Sequence, residues 1–235
     1  ADMPAVVEGT GHDLFTDAFR AMTKADVGSM RGFRFSNSIA PGPITLGDLY
    51  HYIPIGPQIA VTNVSAQSIK KQIEASADSC MNPDVTKWAG GWTFAYSNLT
   101  WDLSPYRSKN SSGLNTGRSS NIKINNSPVT SLKQKFTYAS YFYKDDPNRV
   151  NRLVIKDVSS IKVITKNGLK SPSEVTPENA KGAVDVIVDY LATLPGKRVT
   201  KSNLIYPRIN ILESLPDAIP EFGFPVIEPL RGMVR

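Results

Sequence analysis

Met30-Arg-Gly-Phe-Arg-Phe-Ser-Asn-Ser-Ile-Ala-Pro-Gly-Pro-Ile-Thr45 sets two guanidinium groups and three small polar side chains ahead of a turn. Arg31 and Arg34 present fixed forks of N–H donors that match phosphate, sulfate or carboxylate oxygens bidentately, and Ser36, Asn37 and Ser38 add neutral donors around them. The apolar residues ahead of it, Ala25, Val27 and Met30, predict a buried strand. That strand places Arg34 at a strand end, where ligands sit in α/β architectures. The segment reads as an anion grip. Both arginines also fit as solvated surface groups or as partners of a carboxylate elsewhere, and composition does not separate these readings.

The 235 residues, 40% of them hydrophobic, suffice for one large domain or two small ones with a substantial core. The net charge of +6 is spread over 27 basic and 21 acidic residues with no dense run, so it favours anionic ligands without making a nucleic-acid footprint. A single cysteine, Cys80, excludes an internal disulfide and a cysteine-based metal cluster, and two histidines, His12 and His51, are too few for a dedicated transition-metal site. No apolar run approaches bilayer length, and Ala1-Asp2-Met3-Pro4 lacks a charged-then-apolar signal pattern. A mature exported protein, a cytosolic one and an excised fragment all fit that start. The Asn-x-Ser/Thr triplets at Asn63, Asn98, Asn110 and Asn125 suit a protein outside the cell.

Outward from the opening stretch, Leu14, Phe15, Ala18, Phe19 and Met22 recur at helical spacing and predict an amphipathic helix over 11–22, with Thr10 as N-cap. Pro41-Gly42-Pro43 forces a turn, and Thr45 caps a short helix over 46–52 that stops before Pro54. A strand is predicted over 59–64. Ser65 then caps a helix with Ile69, Ile73 and Ala77 inward and Lys70, Lys71 and Glu74 toward water. Beyond Asn82-Pro83-Asp84 and Gly90-Gly91 the pattern turns to strands: 92–99, 121–125 after a Gly/Ser/Asn-rich loop, and the aromatic run 136–143. Antiparallel pairing follows. Residues 153–165 offer more strand material, and Thr176-Pro177-Glu178 predicts the start of a third helix, with Pro at its first position. The chain divides into a lead-in helix (1–24), a main domain (25–194) and a proline-rich tail laid over it (195–235).

Trp92, Phe94 and Tyr96 alternate, so a shared core face is expected, with a stacking platform as the rarer use of such a set. His51 is a lone histidine on a short helix, and His12 beside a helix start reads as a capping or surface group. Asp145 and Asp146 are adjacent and point different ways. There is no Gly-x-Ser-x-Gly elbow, P-loop, His-Glu-x-x-His or dinucleotide fingerprint, so no catalytic or metal-binding residues are assigned to this chain.

Taken in order, the helix over 11–22, Ala25-Asp26-Val27, Gly32-Phe33-Arg34, Pro41-Gly42-Pro43-Ile44-Thr45, Asp48-Leu49 and Pro54-Ile55-Gly56 resemble the C-terminal domain of the 5′-nucleotidase family. There a Gly-x-Arg, a Gly-x-Ile-Thr turn and a Pro-Phe-Gly-Asn motif follow an interdomain helix. The similarity runs from about Thr10 to Tyr143 and weakens in the last third. Gly32-Phe33-Arg34, Asn82-Pro83-Asp84, Gly90-Gly91, Gly117-Arg118 and Ala139-Ser140-Tyr141 look most like the branch of sulfur-oxidation thiosulfohydrolases.

The resemblance implies an α+β, layered α/β/β/α domain of mixed sheets with flanking helices, which binds substrate over a two-metal centre. That centre, with two divalent metals such as manganese or zinc, belongs to an N-terminal metallophosphoesterase domain, and this chain binds no cofactor itself. The substrate role of the Gly-x-Arg arginine falls on Arg34, beside Ser36 and Asn37. Of the two rings that sandwich a base in family nucleotidases, the first position is Ile55 and the second falls near Phe142 or Tyr143. The motif's asparagine is Pro57, and a Gly-Gly-Asp-Gly-Tyr stretch is missing after Tyr143. Losing one ring removes stacking of roughly 1–3 kcal/mol per base, which favours a small oxyanion or sulfur-bearing substrate. The expected function is the substrate-binding part of a periplasmic or cell-exterior hydrolase for a phosphate ester or a thiosulfonate on a carrier protein. A non-catalytic binding or structural module that kept the fold is the alternative. Neither nucleic acid nor a membrane span is expected.

Overall fold

The computed structural model describes residues 7–31, 39–87, 93–200, 202, 204 and 207–213. Helix α1 (Thr10–Thr23) buries Leu14, Phe15, Ala18 and Phe19, as the helical spacing predicts. Its N-cap is Gly9, and Thr10 is the first helical residue instead of the cap. Lys24, in the left-handed region at φ 56°, ends the helix and turns the chain into strand β1 (Val27–Arg31). Helix α2 (Leu46–Tyr52) starts with a capping box: Thr45 Oγ1 accepts the Asp48 N–H at 3.2 Å, and the Asp48 carboxylate accepts the Thr45 N–H at 2.7 Å. Strand β2 (Gln58–Ser65) runs into α3 (Ala66–Met81), where Ser65 Oγ accepts the Ser68 N–H at 3.2 Å.

The single strand expected over 92–99 is two. Asn98, at φ 60°, separates β3 (Phe94–Ser97) from β4 (Leu99–Leu103), and its side-chain amide donates to the Asp26 carbonyl at 2.8 Å. Asparagine tolerates this left-handed conformation, so the chain leaves one sheet and enters another within one residue. Strands β5 (Ser119–Ile124), β6 (Ser127–Pro128), β7 (Lys135–Phe142), β8 (Arg149–Val150), β9 (Leu153–Val154), β10 (Lys162–Thr165) and β11 (Gly168–Lys170) follow.

Helix α4 (Ala183–Thr193) begins later than the Thr176-Pro177 signal predicts. Asn179 explains the delay: its side-chain oxygen accepts the Thr176 N–H at 2.9 Å, its carbonyl accepts the Lys166 N–H at 2.9 Å, and Ala180 bridges to Thr165. These bonds hold the chain as a turn. Asp185 accepts the Gly182 N–H at 3.0 Å and starts the helix there instead.

One sheet has six strands in the order β11-β10-β2-β7-β1-β3; β1 and β7 are parallel and the other neighbours antiparallel. The second has four, β12-β4-β5-β6, where β12 (Ile209–Ile211) belongs to the tail and runs parallel to β4. Part of the tail is therefore a strand of the domain. Helices α1, α2 and α4 cover one face of the six-stranded sheet through Phe15, Phe19, Tyr52, Ile59, Tyr141, Val184 and Ile187. Its other face, the inner face of the second sheet and α3 share another core, with Ile73, Phe94, Tyr96, Trp101 and Tyr138. This is the mixed, layered α/β fold expected from the resemblance.

Helix α3 departs from its expected polar face. Lys70 and Glu74 are 0% exposed and form an ion pair at 2.9 Å inside the protein; Lys71 alone of the three faces water. Glu74 also accepts the backbone N–H groups of Asn110, Arg118 and Ser119 at 3.0, 3.1 and 2.7 Å, so the pair anchors the 108–118 loop over the helix. Burial opposes the Glu74 charge, but the Ser119, Asn110, Lys70 and Arg118 donors outweigh it and hold its carboxyl below the usual range. Helical spacing could not reveal this, because a loop distant in sequence covers what would otherwise be the wet side.

Candidate functional site

Strand directions gather one edge of the six-stranded sheet. β1 and β7 are parallel, with Val27 beside Tyr138 and Gly28 beside Ala139, so their C-terminal ends, Arg31 and Phe142, reach the same edge. β2 is antiparallel to β7 and pairs Gln58 with Phe142, which brings the preceding residues Ile55, Gly56 and Pro57 to that edge too. The Pro57 carbonyl accepts the Ala183 N–H at 2.8 Å, and Gln58 bridges Gly182, so the first turn of α4 fixes where this loop sits.

Arg34, Ser36 and Asn37 lie outside the described residues, as do Trp88 and Trp92. The strand predicted from Ala25, Val27 and Met30 is β1, whose last residue, Arg31, is three residues before Arg34 in sequence. Ile55 is 51% exposed. Of the two residues considered for the second stacking position, Phe142 is 2% exposed with its side chain in the core shared by the sheets, while Tyr143 is 43% exposed. Tyr143 is thus the exposed ring of the two. Asp145 and Asp146 follow in an exposed turn, with Asp146 3.5 Å from Arg149.

Arg31 is partly exposed at the end of β1, and its charge acts on Tyr143 and Cys80 among others. Burial raises the Tyr143 hydroxyl, and the Arg31 charge works against that rise. Burial likewise pushes the Cys80 thiol up to about 11, with Arg31 again opposing. Cys80 therefore stays a protonated, buried thiol near neutrality.

The interior of the domain holds polar groups, one of which, His12, was expected at a cap or the surface. His12 is 4% exposed instead of at the surface: its Nδ1 lies 2.8 Å from the Tyr52 hydroxyl, and burial lowers its pKa to about 4. A neutral ring thereby ties α1 to α2. The Gln72 side-chain oxygen accepts the hydroxyls of Tyr96 and Tyr138 at 3.0 and 2.9 Å, and Asn151 donates to the Tyr138 oxygen at 3.1 Å.

A third group joins the chain ends. Arg208, 5% exposed, lies 2.7 Å from Asp17 and 3.6 Å from Asp13, while Glu8 accepts the Arg208 N–H at 2.7 Å. Three carboxyls face one guanidinium, and Asp13 is pushed up to about 9, by burial first, against the pull of Arg208 and with the push of Glu8 and Asp17. The folded protein thus holds a proton on Asp13 that the unfolded chain releases near pH 3.8. Stability from this group is complete below that pH and is lost as pH rises through 9. Asp13→Asn, which mimics the protonated acid, is expected to abolish the loss in melting temperature between pH 7 and 9.5; a variant that loses as much as the parent contradicts the assignment.

A cavity of about 290 Å³ lies on the second sheet, lined by Thr100, Asp102, Asn121, Lys123 and Asn210 among others. It is not at the Arg31 edge. Among the described residues no group of three or more His, Cys, Asp or Glu is placed to hold a metal ion. The described residues therefore do not fit a two-metal centre. No described helix is long and apolar enough to cross a membrane.

The described residues form a two-sheet α/β domain, one edge of which carries Arg31, the exposed Tyr143 and the loop that ends at Pro57. Residues 4–145 match the family described as 5′-nucleotidase, C-terminal domain, and the chain belongs to that family. Among solved structures, the 5′-nucleotidase precursor of Thermus thermophilus superposes with a TM-score of 0.59 at 16% identity, covering 88% of this chain and 36% of that one. The sulfate thiohydrolase SoxB of the same species gives a TM-score of 0.62 at 16% identity, covering 89% and 33%. At these identities the likeness is one of fold. The endonuclease YhcR of Bacillus subtilis is 23% identical over 124 residues, which are 53% of this chain and 10% of that protein. The chain spans about a third of the two solved structures and a tenth of the curated relative.

Proposed function

We propose that this domain is the substrate-binding part of a two-metal hydrolase of the 5′-nucleotidase and thiosulfohydrolase type, working outside the cytoplasm on a phosphate ester or a sulfur oxyanion. The observation that supports the reading is the sheet edge where the end of β1, three residues before Arg34 in sequence, meets the loop of Ile55 and the strand that leads to Tyr143. Arg34, with Ser36 and Asn37, holds the anion. A metallophosphoesterase domain supplies the metals, and their chemistry there is water activation and Lewis-acid polarisation.

Ile55 replaces a stacking ring, and Phe142 is packed away, so Tyr143 is left to flank a ligand from one side. Such an edge suits a compact anion better than a sandwiched base. A thiosulfonate on a carrier protein meets that description, since its charge sits at the tip of a linear group.

Arg34→Ala in the polypeptide that carries both domains is expected to lower kcat/KM by about 10- to 100-fold, the worth of a charge-assisted hydrogen bond of about 1.5–3 kcal/mol. Hydrolysis of AMP and of a protein-linked thiosulfonate would be compared. Unchanged kcat/KM on both would remove Arg34 from the site. The other reading, a binding or structural module without chemistry, draws on Ile55 and Pro57 at the positions of the family's Phe and Asn. It predicts no hydrolysis by the two-domain polypeptide at all.

A further inference from the structure

We propose that a separate anion site lies toward the opposite end of β1 from Arg31, where Arg20 and Lys123 hold the phosphate of a sugar phosphate whose hydroxyl-rich body lies in the cavity on the second sheet. This goes beyond the proposed function and does not depend on it.

Arg20 stands in the last turn of α1 with its stem over β1, its Cβ 2.9 Å from where a Cβ on Gly28 would be. Its Nε donates to the Ser97 Oγ at 2.8 Å, and Ser97 pairs with Gly28 near the start of the strand. One edge of the guanidinium is thus fixed. Among the described residues Arg20 forms no ion pair, and nothing accepts from its two terminal nitrogens. Beyond Ser97 the chain turns at Asn98, and Thr100 follows in β4 directly opposite Lys123 of β5. The Lys123 ammonium is also without a partner among the described residues.

The two cations meet at one cavity of about 60 Å³, which Asn98, Thr100 and Asn126 line as well. Asp17 and Arg208 also border it, but the Asp17 oxygens are taken, one by the Ser97 hydroxyl at 2.5 Å and the other by Arg208 at 2.7 Å. Two cations with donors to spare around so small a space suit a compact oxyanion. Thr100, Lys123 and Arg208 line the 290 Å³ cavity too, so the two spaces adjoin. In the larger one Asp102, Asn121 and Asn210 supply carboxylate and amide groups that pair with hydroxyls. Trp101, 2% exposed, gives it no ring face on which a nucleobase could stack.

The test is titration of the isotope-labelled chain with glucose 6-phosphate, glucose and inorganic phosphate, followed by NMR. Glucose 6-phosphate is expected to shift the backbone signals of Asn98, Thr100, Asn121 and Lys123, and to bind more tightly than either of the other two. Affinity should fall about tenfold in Lys123→Gln, by the loss of a charge-assisted bond, and stay near the parent's in Lys123→Arg. Arg20→Lys should be intermediate, because the fork is lost and the charge kept. Lys123 is partly exposed, so its variants should keep the parent's melting temperature and carry the test even if Arg20→Lys misfolds. Parent-like affinity in Lys123→Gln overturns the site, and so do shifts confined to Met30, Arg31 and Ile55 or the absence of any binding. Equal affinity for inorganic phosphate overturns the sugar body. None of these results touches the role of Arg34, which the kcat/KM of Arg34→Ala decides.

Discussion

Glu74→Leu is expected to destabilise the domain by about 3–5 kcal/mol, the cost of leaving one member of a buried ion pair unpaired. Lys70 Nζ would keep the Thr116 and Ser119 carbonyls but lose its anion, in a place where both side chains are 0% exposed. The backbone N–H groups of Asn110, Arg118 and Ser119 would lose their shared acceptor as well. Against a typical total of about 5–15 kcal/mol, this is a large fraction of the stability. Urea unfolding followed by tryptophan fluorescence measures it.

The double variant Lys70→Met with Glu74→Leu separates two accounts. An isolated buried pair is often replaceable by apolar groups at little cost. Here the double variant is expected to stay destabilised, because the loop's N–H groups remain without a partner. Full recovery would show that Glu74 serves only its lysine. Loss of the anchor should also open the loop to trypsin at Lys109, which is exposed beside Asn110.

Gly28→Ala is expected to cost about 3 kcal/mol or more, the upper range of core overpacking. Helix α1 crosses β1 so closely that a Cβ at Gly28 would stand 2.1 Å from the Thr16 carbonyl oxygen and 2.9 Å from the Arg20 Cβ. The first obstacle is backbone, so no rotamer change relieves it. Gly28 is also paired on both sides, with Ser97 and Ala139, and cannot sink away. The helix must lift, and with it Phe15 and Phe19, both 0% exposed. Gly56→Ala is the control: nothing lies within 4 Å of its added Cβ, and its stability should change by less than about 0.5 kcal/mol.

Much of the scaffold was legible because its signals are local. Thr45 and Ser65 cap α2 and α3 through bonds spanning three residues. The β-prone aromatic run of β7 and the helical spacing of α1 are carried by neighbouring residues. The reading failed where a partner distant in sequence decides the outcome. His12 looked like a surface group until Tyr52, forty residues on, covered it. Lys70 and Glu74 looked wet because the 108–118 loop was invisible from α3 alone. Arg208 looked like part of a tail laid over the domain, yet its charge is buried against Asp13 and Asp17 of α1.

The candidate site divides in the same way. The sequence by itself determined the family, and it carries the reading of Arg34 as an anion contact and of Ile55 in place of a stacking ring. These depend on residue type and order. Only the tertiary structure separated the buried Phe142 from the exposed Tyr143, since consecutive residues at a strand end differ in which one the core absorbs. It alone brought Arg31 to the Tyr143 edge, through the parallel pairing of two strands more than a hundred residues apart. Local chemistry is written in spacing, whereas burial and charge partners arise from contacts that close only when the chain folds.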